Sequence, residues 1–123
     1  RSAGLSEDGR RVVYQEWPEN AVAGSTVRLK VVPAAGGPPL LDVPGGFASQ
    51  YRFHPDGVSL SFNRLRRGVS NIWTMPLGGG EPVQVTRFER GTILGYDWLP
   101  DGRLALCRAH YRNDVVLLTD FRR

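Results

Sequence analysis

The sequence predicts an all-β fold: about three four-stranded antiparallel blades of a β-propeller, a partial propeller whose last blade lacks its outer strand. Three observations carry that expectation. An Asp-Gly pair between apolar, strand-like segments recurs at residues 8, 56 and 101, with spacings of 48 and 45. A Gly-rich second turn follows a third strand in the first two units, at Gly36-Gly37 and Gly78-Gly79-Gly80. Gly (15 residues) and Pro (9 residues) are abundant, while helix-forming runs of Ala, Glu, Lys and Leu are missing. Periods of this length belong to propeller blades or helical arrays, and the strand-like segments exclude the second.

The first unit, residues 1–46, has an inner strand ending at Leu5, then Asp8-Gly9, then a second strand through Val12-Val13-Tyr14. A long loop over about Gln15–Ser25 carries Trp17-Pro18, and Val27–Val32 and Leu40–Val43 follow as third and outer strands. The second unit, residues 47–91, turns at Asp56-Gly57 after Phe53-His54-Pro55 and continues through Val58–Phe62. Its loop is short, around Leu65–Gly68, and Asn71–Met75 leads through Gly79-Gly80 to the outer strand Pro82–Thr86. The third unit, residues 92–123, turns at Asp101-Gly102 and runs through Leu104–Leu106 to a third strand, Asp114–Phe121, after which Arg122-Arg123 remain.

Each Asp-Gly pair is a hairpin signal, because Gly accepts positive φ and Asp bonds nearby backbone while tolerating it. In the second unit Val58, Leu60 and Phe62 are expected to face one way and Ser59, Ser61 and Asn63 the other. Large apolar residues opposite small polar ones suit a sheet packed on both faces.

Hydrophobic residues at 41% and charged residues at 23% describe a globular chain. The net charge of +4 rests on Arg, since Lys30 is the single lysine. Its densest run, Arg64, Arg66 and Arg67, reads as a solvated loop, with a phosphate or anion site as the alternative; Arg122 and Arg123 form a second basic pair. The aromatics fall in strand-like segments rather than on a stacking platform, so no nucleic-acid partner is expected. The lone Cys107 allows no internal disulfide and reads as a buried apolar residue. No stretch approaches the roughly 18 apolar residues of a membrane helix.

Catalytic patterns are missing. Ser70 in Gly68-Val69-Ser70-Asn71-Ile72 lacks the closing Gly of a nucleophile elbow. His54 and His110 read as structural or surface residues. Cys107 and His110, three apart on a strand, point to opposite faces and make no metal pair. Gly78-Gly79-Gly80 lacks the Lys of a phosphate loop, and Asp120-Phe121-Arg122 lacks the Gly of a kinase magnesium motif. We therefore expect no catalytic residues, no cofactor and no metal. Trp17 is the best candidate for contact with a protein or small-molecule ligand, because variable loops on a repeated scaffold form binding surfaces. Asp8, Gly9, Asp56, Gly57, Asp101, Gly102, Gly79 and Gly80 are expected to be structural turn residues. A chain that starts at Arg1 with no signal peptide reads as a piece of a longer protein, and three blades alone are expected to self-associate through exposed faces.

Phe53-His54-Pro55-Asp56-Gly57 resembles the Phe-Ser-Pro-Asp-Gly turn of the bacterial TolB-type, WD-repeat-like propellers, with His54 in place of Ser. Asn71–Pro82 and Gln84-Val85-Thr86 resemble the third strand, Gly-Gly turn and outer strand of the same family; Glu7 departs from it, standing where Pro is usual. The ending Asn113–Arg122 resembles the closing strand of propellers at the C-terminus of bacterial serine/threonine protein kinases and winged-helix regulators. The resemblance implies an extracytoplasmic, periplasmic binding module that serves as the sensory part of such a receptor. Two other readings are the gating propeller of a prolyl-oligopeptidase-like serine peptidase and a free TolB-like envelope scaffold.

Overall fold

The computed structural model describes residues 3–20, 22, 26–45 and 48–109, and the backbone of 115–122. Its described residues form eleven antiparallel strands and no helix. Sheet one contains β1 (Ala3–Leu5), β2 (Arg11–Glu16), β3 (Val27–Pro33) and β4 (Leu41–Gly45), in that spatial order. Sheet two contains β5 (Ser49–Phe53), β6 (Ser59–Arg66), β7 (Val69–Pro76) and β8 (Val83–Gln84). Sheet three contains β9 (Thr92–Trp98), β10 (Arg103–Ala109) and β11 (Val115–Arg122), in spatial order β11-β10-β9. Every sheet follows chain order, so each is a meander. Such local pairing needs no crossover.

The sheets stack face to face through their side chains. In β6, Leu60 and Phe62 are fully buried against sheet one, in a cluster with Val13, Leu29, Val31, Leu41, Tyr51, Met75 and Leu77. The intervening Ser61 and Asn63 reach sheet three, where Ile72 of sheet two joins Ile93, Tyr96, Trp98, Leu104 and Leu106 in a second cluster. This is the two-sided alternation expected for that strand. The inner strands approach each other closely. A Cβ on Gly4 of β1 would stand 3.3 Å from the carbonyl oxygen of Tyr51 on β5, so a larger residue there would force the two strands apart.

Three side chains differ from the sequence expectation. Val58 is 64% exposed, because its N–H is held by the Asp56 carboxylate at 2.9 Å and it belongs to the turn rather than to β6. Cys107 is half-buried, on the face of β10 opposite Leu104, Leu106 and Arg108, which point into the core. Arg64 is not a loop residue but the sixth residue of β6, with its guanidinium 4.7 Å from the centre of the Trp73 ring. His110, Arg123, the side chain of Arg122, and residues 21 and 23–25 of the long first loop lie outside the described residues.

Candidate functional site

The three Asp-Gly turns are built alike. Gly9, Gly57 and Gly102 have φ of 72°, 75° and 89°, the left-handed region that a side chain resists. Their amides donate to the carbonyls of Ser6, His54 and Leu99 at 2.9, 3.1 and 2.9 Å. Asp8, Asp56 and Asp101 each accept a backbone N–H from two residues further on, at Arg10, Val58 and Arg103. The carboxylates therefore close the turns from within. Glu7, standing where the other units have Pro55 and Pro100, leaves these bonds unchanged.

Because the sheets stack in register, the turns come together around one cleft of about 530 Å³. Sheet one contributes Leu5, Ser6, Glu7, Asp8 and Arg11; sheet two contributes Phe53, His54, Pro55 and Gly57; sheet three contributes Asp97, Trp98 and Pro100. One wall is aromatic, with His54 and Trp98 in tilted contact at 4.3 Å between centroids. The rim is charged: Glu7, Asp8 and Asp97 oppose the single cation Arg11, which lies 6.0 Å over the Phe53 ring. Hydrogen bonds from the Ser6 hydroxyl and the Arg10 amide hold the Asp8 carboxyl below its usual range. Burial works to raise Asp56, but bonds from Val58 and Ser59 and the nearby His54 outweigh it, and its pKa is lowered.

The cleft places Ser6, His54 and Asp8 near one another, yet the bonding is that of a turn. The Ser6 hydroxyl donates to Asp8 at 2.6 Å and accepts the Arg11 amide at 3.0 Å. His54 Nδ1 accepts the Asp56 amide at 3.0 Å, which ties that nitrogen to its own turn. Among the described residues no group of His, Cys, Asp and Glu could hold a metal ion. What this cleft offers a ligand is shape, an aromatic and proline wall, and charge.

Trp17 is 51% exposed, as a contact residue would be, but it follows β2 at the end of the sheet away from the turns and does not line the cleft. Gly79 and Gly80, with φ of 91° and 137°, lie in the β7–β8 connection and are likewise outside it. Arg11, Glu7, Asp97, His54 and Trp98 line the cleft without standing out as site residues in the sequence. The signal for them was present: each flanks one of the recurring turns.

The same arrangement of stacked four-stranded meanders is found in solved structures. The TolB of Acinetobacter baumannii superposes with a TM-score of 0.66 over 97% of this chain and 29% of its own, at 16% identity. A TolB-type protein of Agrobacterium tumefaciens matches with a TM-score of 0.63 over 95% of this chain and 40% of its own, at 21% identity. The fold is a partial β-propeller. Each sheet is accordingly a blade, with β1, β5 and β9 as inner strands. A puromycin hydrolase also matches, with a TM-score of 0.64 and 25% identity over 97% of this chain and 20% of its own. The chain thus spans between a fifth and two fifths of the length of these structures. No protein-family model and no curated protein matches it.

Proposed function

We propose that this chain is a non-catalytic propeller segment that binds a protein or small-molecule ligand in the turn-end cleft, as the sensory part of a bacterial receptor kinase or transcriptional regulator. One observation carries the binding reading: inner-strand ends of all three blades converge on a cleft of about 530 Å³, within the size range of ligand sites. The absence of catalysis is supported by how the buried serines are used. Ser59, Ser61 and Ser70 bond to Asp56, to Arg52 and Trp98, and to Ile93, all within or between blades. The sensory role rests on the closing-strand resemblance of Asn113–Arg122, and an extracytoplasmic location accords with the likeness to TolB.

A second reading, the gating propeller of a serine hydrolase, is favoured by the likeness to the puromycin hydrolase. A free envelope scaffold is favoured by the likeness to TolB. Sequencing the gene on both sides of these codons separates the three. A kinase or winged-helix domain followed by a membrane helix and further blades is the expected result. An α/β-hydrolase domain in the same frame would make the chain a gate, and a signal peptide with blades alone would make it a scaffold.

A further inference from the structure

The cleft at the Asp-Gly turns carries charge opposite in sign to the chain around it. The sequence as a whole has a net charge of +4. The cleft lining holds three carboxylates, Glu7, Asp8 and Asp97, against the single guanidinium of Arg11. All three carboxylates are exposed, and none forms an ion pair among the described residues. Arg11 is turned aside. Its guanidinium carbon lies 6.0 Å from the centre of the Phe53 ring, and its Nη2 would stand 3.8 Å from a Cβ on Gly57, so it rests against the turn of blade two. A concave surface lined mainly by one sign of charge focuses the field and draws the opposite charge in.

The carboxylates do not come from one place. Glu7 and Asp8 belong to blade one and Asp97 to blade three, and blade two, packed against both, supplies Phe53, His54 and Pro55 between them. Asp56, the equivalent carboxylate of blade two, is engaged within its own turn by the amides of Val58 and Ser59 and the Ser59 hydroxyl, and does not line the cleft. Trp98 and Pro100 of blade three and the 64%-exposed Leu5 of blade one extend the apolar wall. Carboxylates from the two outer blades thus flank an apolar middle.

We propose, resting on the reading that this cleft is the ligand site, that it takes a basic, amphipathic segment of a partner protein. An arginine or lysine of the segment sits by the rim carboxylates, and an apolar neighbour packs on Leu5, Phe53 and Pro100. A long basic side chain suits both parts of the lining, because its methylene stem covers apolar surface while its head reaches the carboxylates. The aromatic faces attract the same cation. A segment fits better than a lone small amine, because about 530 Å³ is the room of a drug-sized ligand and the wall offers more apolar surface than one stem covers.

Two-dimensional amide NMR of the chain, titrated with an acetylated, amidated tripeptide of leucine, arginine and leucine, tests this. Saturable shifts are expected at the amides of Ser6, Glu7, Gly57 and Trp98, and none there from tripeptides with glutamate or norleucine in the middle. Glu7→Gln and Asp97→Asn should each weaken the arginine tripeptide about threefold. Glu81→Gln removes an equally exposed carboxylate from the β7–β8 connection, outside the cleft, and should change affinity less than about 1.5-fold. Arg11→Gln should tighten binding about twofold, because the opposing charge is gone; weaker binding in that variant would contradict the electrostatic assignment. Equal shifts from the glutamate or norleucine tripeptide would overturn the basic preference while leaving the cleft a ligand site. Silence of these amides toward all three tripeptides overturns the proposal outright. Free L-arginine binding more tightly than the tripeptide would make this an amino-acid site and remove the partner segment.

Discussion

The two interfaces between blades are built from opposite faces of one strand, β6, and they are chemically unlike. Toward blade one, Leu60 and Phe62 join Val13, Leu29, Val31, Tyr51 and Met75 in a hydrocarbon core. Toward blade three, Ser61 and Asn63 make directed bonds. The Ser61 hydroxyl accepts Trp98 Nε1–H at 2.8 Å, donates to the Arg52 carbonyl at 3.1 Å and lies 2.9 Å from the Tyr96 hydroxyl. Asn63 donates to Gln50 and to the Ile93 carbonyl at 2.8 and 3.1 Å. Further bonds run from Gln50 and Arg52 of β5 to the carbonyls of Leu94 and Tyr96 on β9, at 2.9 Å each. Hydrophobic packing is non-directional and supplies most of the adhesion, whereas directed bonds fix which residues meet. The first interface is held by hydrocarbon packing, and the second adds to the apolar cluster around Ile72 the directed bonds that set the position of β9, whose Asp97 and Trp98 complete the cleft.

The largest effect is expected where the hydrocarbon is lost. Phe62→Ala removes a fully buried ring from the core between blades one and two and should cost about 3–5 kcal/mol in urea denaturation. Ser61→Ala deletes far less volume but leaves the buried Trp98 N–H without its acceptor, for about 1–3 kcal/mol. A Ser61 variant more costly than the Phe62 variant would reverse the assignment of roles. The smallest effect is confined to alkali. Burial pushes Tyr51 up from 10.0 to about 12, and burial also raises Tyr96 well above its usual range. The unfolded chain ionises these phenols near 10, so their contribution is complete below that pH and is lost as pH rises through the folded values. Melting temperature should fall from pH 10 upward, and a melting temperature that stays constant to pH 12 would count against the buried, neutral state of both phenols.

The alternation that separates the interfaces was legible in the sequence, because Leu60, Ser61, Phe62 and Asn63 switch character residue by residue. The turns were legible too, since Asp-Gly between apolar runs has few other uses. Val58 continued the same alternation by composition and was misplaced, because the Asp56 carboxylate claims its amide before the strand begins. The cleft was not legible as a site. Its walls come from three turns more than forty residues apart, and only the stacking of the sheets shows that Glu7, His54 and Trp98 share one space. Trp17 was attractive as an aromatic residue in a long loop, but strand direction carries it to the opposite end of blade one. The strand placement of Arg64 and Arg66 was hidden for a related reason. Composition reads Arg64, Arg66 and Arg67 as a loop, whereas the β6–β7 register sets two of them on Trp73.

Photo-cross-linking in the native cell tests the central claim, that the turn-end cleft is where this propeller segment engages its ligand. A benzoylphenylalanine would replace Glu7 on the cleft rim and, as a control, the exposed Val83 on the outermost strand of blade two. A defined adduct from position 7 and none from position 83 is the predicted result. Adducts from position 83 alone, with the cleft position silent, would contradict the account.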